Sequence, residues 1–241
     1  MIKNLDDYLI GIAIGIRFRA NFSIEDQLGR MVDQILYSNK SFFNPSVFPL
    51  VRSNIGRRTL VNEKTNDRLL IDNSNIILEL QFSDSATFKM QDHLNILSKF
   101  ESDIIKGIMR SFAIREIVRI GYIRRYLFQE RDLAKVFIDK TIGQTLEGVN
   151  DINLRFSKKM PSNEGMIKKG VADHENAIFN IIKKSDADEI FMSVDFQKIY
   201  DPFLPTALEI NFSPFISEAE SFNNKQYLPW LNKNYIEVDN E

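Results

Sequence analysis

Arginine is the residue type best placed for chemistry in this chain. The central stretch RIGYIRRYLF, residues 119–128, carries Arg119, Arg124 and Arg125 in an alternating pattern. Alternate side chains of a strand point to opposite faces of its sheet, so Arg119 and Arg125 share one face and Arg124 lies on the other. Arg124 shares its face with Tyr122 and Tyr126, which favours a structural role for it.

Two further arginines end the first predicted strand. Arg17 and Arg19 lie on one face of the alternating stretch at residues 8–19. Guanidinium groups bind phosphate and carboxylate through paired hydrogen bonds. If both strands belong to one sheet, four arginines line one concave surface and bind a small anion: Arg17, Arg19, Arg119 and Arg125. The alternative is that they solvate an uncovered sheet face and pair with its acids.

One acidic residue interrupts an apolar strand. Asp195 lies in FMSVDF, where a carboxylate is expected to pair with an arginine on a neighbouring strand. Arg119 and Arg125 are the candidate partners, so Asp195 joins the predicted ligand-binding residues. With Glu79, the same groups would form the carboxylate–arginine site of an enzyme. No motif indicates a reaction class, so this is the weaker hypothesis.

Motifs for other chemistry are missing from the sequence. The chain has no cysteine and two histidines, which are not spaced as zinc ligands. It has neither a glycine-rich phosphate loop nor a G-x-S-x-G nucleophile turn. We therefore predict no catalytic residue, no metal site and no cofactor.

Charge and hydropathy disfavour two classes of partner. The net charge is −2 and the pI is near 5.9, whereas nucleic-acid-binding modules are usually basic. Nucleic acid is therefore a secondary hypothesis that requires a local basic patch. The apolar run at residues 8–16 is too short to span a bilayer and lacks the features of a signal peptide. We predict a cytoplasmic protein with no membrane partner.

The hydrophobic periodicity predicts the same element order twice. Each half reads strand, helix, several antiparallel strands, helix. The first half comprises a strand at 8–19, a helix capped by Ser23, strands over 48–82 and a helix at 89–110. The second comprises a strand at 116–128, a helix at 131–146, four strands between 151 and 201, and a closing helix capped by Ser213.

A weak sequence echo accompanies this order. AIGIRFRA at 13–20 aligns with RIGYIRRY at 119–126, placing Gly15 on Gly121. We predict an α+β fold in one domain, residues 1–241, with pseudo-repeated halves at about 1–113 and 114–241. The halves are expected to form a curved antiparallel sheet with helices on one face. That element order is similar to the topology of the TATA-binding protein, although fold does not determine function.

Three stretches together carry a family resemblance. VRIGYIRRYLF, LRFSKK and MSVDFQKIYD resemble a sporadically distributed, uncharacterised bacterial family whose members have a central R-x-G-x-R-Y-like strand. The resemblance covers roughly residues 8–235. It implies a single α+β protein and brings no activity, cofactor or catalytic residue.

The closing helix carries many aromatic side chains. Among them, Phe222, Tyr227 and Trp230 either dock on the sheet or form an interaction surface for a partner or a second copy of the chain. The leading hypothesis is a non-catalytic binding protein that recognises a protein partner or a small anionic ligand through a sheet face or groove. The alternatives are a nucleic-acid-associated module that uses the arginine face, and the enzyme considered above.

Overall fold

A large antiparallel sheet dominates the computed structural model, which describes residues 2–37, 43–82, 90–129, 140, 152–161, 174–183 and 189–236. Its strands are β1 (Leu9–Phe18), β2 (Leu50–Asn54), β3 (Arg57–Val61), β4 (Arg68–Asp72), β5 (Asn75–Gln81), β6 (Arg115–Phe128), β7 (Ile152–Pro161), β8 (His174–Lys183) and β9 (Ile190–Thr206). These nine described strands form one sheet in the order β2-β3-β4-β5-β1-β6-β9-β8-β7. The prediction of an α+β protein with a large antiparallel sheet is confirmed.

Among the described residues, helices follow β1, β5 and β9 in the chain. In the described ranges they are α1 (Ser23–Tyr37), α2 (Met90–Lys99), α3 (Met109–Ser111), α4 (Phe212–Phe222) and α5 (Leu228–Leu231). Wider π-helical turns separate α2 from α3 and α4 from α5, and another follows α5; they span Phe100–Ile108, Asn223–Tyr227 and Asn232–Ile236. Short 3₁₀ turns lie at Leu5–Tyr8 and Ala207–Glu209. None of the described helices combines the length and apolar character needed to cross a membrane.

Two helices begin at the same tripeptide, Asn-Phe-Ser. The side-chain oxygen of Asn21 accepts a hydrogen bond from the backbone N–H of Ser23 at 3.1 Å, before α1. Asn211 accepts one from the N–H of Ser213 at 3.2 Å, before α4. The prediction that Ser213 caps the closing helix is wrong, because Asn211 is the capping residue. An asparagine side chain satisfies an unpaired amide of the first turn equally well.

The two faces of the sheet differ in composition. One, the apolar face, carries buried side chains such as Ile14, Tyr122 and Phe196. Helix α4 packs on it, with Phe215 and Phe222 each 5.6 Å from the Phe196 ring. The other, the glycine face, carries Gly15 and Gly121 among largely half-buried or exposed side chains, both polar ones such as Arg119 and apolar ones such as Ile123. The alternation of strand side chains produces this division.

Some predicted elements lie outside the described residues. This holds for the helix at 131–146, apart from Lys140, and for most of the second of the four strands predicted between 151 and 201, which falls at 165–175. His174 is the first residue of β8.

Candidate functional site on the glycine face

The centre of the sheet has two adjacent glycines. Strands β1 and β6 pair so that Gly15 lies opposite Gly121. They belong to one row of directly paired residues on the glycine face, which crosses the sheet as Arg52, Thr59, Leu70, Ile77, Gly15, Gly121, Gln197, Asn176 and Lys159. The two missing side chains leave a depression of about 60 Å³.

The glycines contribute to this depression in different ways. A Cβ on Gly15 would lie 2.6 Å from the carbonyl oxygen of Ile76, so the close approach of β5 requires glycine there. A Cβ on Gly121 would lie 3.5 Å from Oδ1 of Asp195, an ordinary contact. Backbone packing therefore explains Gly15 but leaves Gly121 unexplained.

Two arginines form the basic end of the depression. Arg17 lies directly opposite Arg119, one row beyond the glycines, and both line the cavity. Like charges placed opposite each other destabilise a sheet. In the part of the chain that the structure describes, neither guanidinium forms a hydrogen bond or an ion pair within 4.0 Å. The pair therefore has no contacting counter-ion among these residues.

Asp195 lines the depression from the other end. It lies opposite Ile123, and its Oδ2 accepts a hydrogen bond from Nε2 of the buried Gln197. Burial raises the pKa of the Asp195 carboxyl, whereas the Gln197 hydrogen bond and the charges of Arg119 and Arg155 act to lower it. Arg119 thus acts on Asp195 through space without a direct contact.

The other two predicted arginines have acidic partners. Arg125 donates a hydrogen bond to Oε1 of Glu79 at 2.8 Å, reaching across β1, and so is not the partner of Asp195. Arg19 pairs with Glu116 at 3.4 Å and its side chain is 66% exposed. Only Arg17, Arg119 and Asp195 of the predicted ligand-binding residues line the central depression.

Arg124 lies on the apolar face and is completely buried. Its guanidinium donates to Asp6 from the first helical turn and to Glu220 from α4. The hydroxyl of Tyr122 also donates to Glu220, at 2.9 Å. Burial raises the pKa of the Glu220 carboxyl, and Arg124 and Tyr122 oppose that rise. Sequence reasoning missed both carboxylates, which lie 118 and 96 residues from Arg124 along the chain.

The aromatic residues of the C-terminal segment dock on the sheet. Phe222 and Tyr227 are buried, and Tyr227 stacks on Phe179 of β8 at 4.9 Å. Trp230 is half-buried against Phe156 of β7, with ring centroids 5.2 Å apart. Packing against the sheet thus buries much of the aromatic surface that we considered as an interaction surface for a partner.

Within the described residues, neither histidine belongs to a cluster of metal-binding side chains. His93 packs edge-on against Phe82 at 4.4 Å, and His174 lies opposite Ile199 on the glycine face. Across the described ranges, no group of three His, Asp or Glu residues is arranged to hold a metal ion.

Comparison with models of known protein families gave no match for the chain, and neither did comparison with curated proteins. The function is therefore inferred from the geometry of the chain itself. The feature that most needs a chemical explanation is the opposed pair of arginines beside the glycine row.

Proposed function

We propose that this chain is a non-catalytic binding protein that takes a small anion into the depression between Arg17 and Arg119. The observation that carries this proposal is the direct opposition of these two arginines with no contacting counter-ion among the described residues. An anion bridging them would convert a repulsive cross-strand pair into two charge-assisted interactions.

Four of the other described arginines contrast with this pair. Each has an acidic partner within 4.0 Å: Arg19, Arg57, Arg124 and Arg125. The fold thus supplies carboxylates to these guanidiniums and none in contact with Arg17 and Arg119.

The depression also limits the size of the bound group. A water molecule needs roughly 10–15 Å³ of such space, so about 60 Å³ holds a few water-sized groups. This suits a carboxylate or a phosphate head group whose remainder extends into solvent.

Titration of the full chain with sodium acetate and with inorganic phosphate tests the proposal. We expect the NMR signals of the Gly15 and Gly121 amides to shift saturably. Arg119→Gln should weaken binding roughly tenfold or more, the value of a charge-assisted hydrogen bond.

Arg125→Gln is the matched control. It removes a guanidinium from the same strand and face, but one already neutralised by Glu79. The dissociation constant for the anion should stay within about threefold of its original value, clearly less than the tenfold change expected for Arg119→Gln. Equal losses in both variants, or no response of the glycine amides to either anion, would contradict the proposal.

A polyanion is a second candidate ligand, favoured by the margins of the glycine face. Exposed basic side chains lie there on both sides of the depression: Arg52 on β2, and Arg155 and Lys159 on β7. A nucleic-acid strand laid across the sheet would meet them in turn. A salt-dependent mobility shift of single- or double-stranded DNA or RNA would support this candidate, and no shift at low salt would reject it.

We also propose that the two halves are a pseudo-repeat with a topology similar to that of the TATA-binding protein. Its support is the antiparallel pairing of β1 with β6 at Gly15 and Gly121, the flanking of this pair by β5 and β9, and the Asn-Phe-Ser start shared by α1 and α4. If the repeat is real, it places two arginines from equivalent strands on the same ligand.

A further inference from the structure

The depression has two chemically different ends. Along β6 and β9 the rows on the glycine face follow in a fixed order: first Arg119, then the row of Gly121, then the row of Asp195. Because four residues of a strand span about 13 Å, the backbone of Arg119 lies about that far along β6 from Ile123, which is opposite Asp195. The row of glycines therefore separates a dibasic end from an acidic end, and side chains from both ends line the same cavity.

At the acidic end, one oxygen of Asp195 is available to accept a hydrogen bond from a ligand. Oδ2 of Asp195 accepts from Gln197, and Oδ1 accepts no hydrogen bond from any residue that the structure describes. Oδ1 lies over Gly121, only 3.5 Å from where a Cβ of that residue would be. Glycine at position 121 leaves Oδ1 open to a molecule in the depression.

These two ends set conflicting demands on a simple anion. A carboxylate or phosphate drawn to Arg17 and Arg119 would also approach the carboxylate of Asp195, which repels it. A ligand with an anionic group at one end and a cationic hydrogen-bond donor at the other would satisfy both. Gly121 is then explained as well, because a side chain there would separate the donor from Oδ1.

We infer that the ligand of this site is a small zwitterion of the amino-acid class, with its carboxylate between Arg17 and Arg119 and its ammonium on Asp195. The inference rests on the proposed anion site and adds the second contact. A hydroxyl group on the ligand would also donate to Asp195, but it would not neutralise the negative charge of the Asp195 carboxylate. An ammonium group neutralises that charge and forms the stronger hydrogen bond.

Four probes differing in one group each test this inference on the full chain at pH 7.5. Glycine carries both charges, acetate only the carboxylate, methylammonium only the cation, and glycolate a hydroxyl in place of the ammonium. We expect glycine to bind about tenfold more tightly than acetate or glycolate, and methylammonium to bind weakest, as measured by the shifts of the Gly15 and Gly121 amides.

Asp195→Asn should abolish the preference for glycine, because it removes the attraction between Asp195 and the ammonium group. It should not weaken the binding of acetate, because it also removes the repulsion between Asp195 and the carboxylate of the ligand. Gly121→Ala is a second variant in case Asp195→Asn does not fold; its methyl group meets only an ordinary contact and should weaken glycine more than acetate. The dispersion of the amide spectrum reports whether each variant is folded.

The outcomes separate the two proposals. If acetate or glycolate binds as tightly as glycine, the zwitterion is wrong while the anion site stands. If Asp195→Asn leaves the preference for glycine intact, Asp195 is not the ammonium partner and the inference fails. If acetate, phosphate and glycine all leave the glycine amides unchanged, both proposals fail.

Discussion

Two arginines on opposite faces of β6, Arg124 and Arg119, are in opposite situations. On the apolar face, Arg124 is fully buried and contacts two carboxylates, Asp6 and Glu220. On the glycine face, Arg119 is half-buried, contacts no carboxylate in the described residues and lies opposite another arginine. Within one strand, Arg124 and, on the glycine face, Arg125 are thus paired with carboxylates of the fold, whereas Arg119 contacts none in the described residues.

This difference separates a structural from a binding role better than burial alone. A buried guanidinium requires counter-charges within the fold, because an unpaired charge in the interior is very costly. A guanidinium at the surface does not need a counter-charge from the fold. It can tolerate some repulsion from a neighbouring cation and take its counter-charge from a bound ligand. The predictions below test whether the two faces of β6 respond to mutation in these different ways.

The largest effect is expected at Arg124. Arg124→Met keeps most of the side-chain volume but leaves Asp6 and Glu220 without their cation, and Glu220 is largely buried. Breaking such a buried ion pair costs roughly 3–5 kcal/mol. Urea unfolding should therefore show a loss of that order, whereas Arg119→Gln should change the free energy of unfolding by about 0.5 kcal/mol or less.

A triple variant guards against a failure to fold. Arg124→Met combined with Asp6→Asn and Glu220→Gln removes the whole charged cluster, so it should recover part of the stability lost in the single variant. If Arg124→Met and Arg119→Gln had similar effects on the free energy of unfolding, the contrast between the two faces would not hold.

The next effect concerns the two glycines that face each other at the centre of the sheet. Gly15→Ala forces a Cβ to 2.6 Å from a backbone oxygen of β5, and such overpacking typically costs about 1–3 kcal/mol. Gly121→Ala meets a contact of 3.5 Å and should cost less than about 1 kcal/mol while weakening the binding of glycine. Thermal unfolding and the titration described above measure the two effects.

Equal destabilisation by the two alanines would mean that Gly121 is also required by packing. In that case the empty space over Gly121 would be a consequence of strand geometry and would give no support to a ligand contact with Asp195.

The sequence predicted these elements to different extents. Period-two alternation located β1 and β6 and divided Arg119 and Arg125 from Arg124, because that pattern is local. The alignment of AIGIRFRA with RIGYIRRY concerned a repeat and said nothing of register, so the direct opposition of Gly15 and Gly121 in the antiparallel pair of β1 and β6 was not predicted.

Long-range partners were beyond reach for a physical reason. Whether Arg125 contacts Glu79 or Asp195 depends on which strands become neighbours and in what register, and alternation does not determine either. Asp6 and Glu220 reach Arg124 from helical segments at the two ends of the chain. The capping residue of α4 was misplaced because Asn211 and Ser213 are both good N-caps and only the backbone decides between them.

The smallest expected effect on the free energy of unfolding comes from a pair of carboxylates on the apolar face. On the apolar face, Glu220 contacts Arg124, but Glu175 of β8 instead shares a hydrogen bond with Glu218 of α4. Burial, reinforced by the charge and hydrogen bond of Glu218, raises the pKa of the Glu175 carboxyl from 4.5 to about 7, and Lys198 opposes the rise. The folded state therefore holds this proton over a range in which the unfolded chain has lost it.

The free energy of unfolding should consequently fall as pH rises from about 4.5 to 7, and the contribution of Glu175 is fully present only below that range. Because Glu175 is only partly buried, solvent screening limits the loss to about 1 kcal/mol or less. Burial raises the pKa of Asp67, Asp195 and Glu220 in the same direction, so the total slope is not diagnostic.

The difference between variants isolates the carboxyl pair. Urea unfolding at pH 5 and pH 8 should show a larger loss in the original chain than in Glu175→Gln, and Glu218→Gln should reduce the loss similarly by removing the like charge. If all three chains lost the same stability between the two pH values, Glu175 would not be protonated preferentially in the folded state. The fold would then tolerate a partly buried pair of carboxylates without a shared proton, and a missing counter-ion would be weaker evidence for a ligand at Arg17 and Arg119.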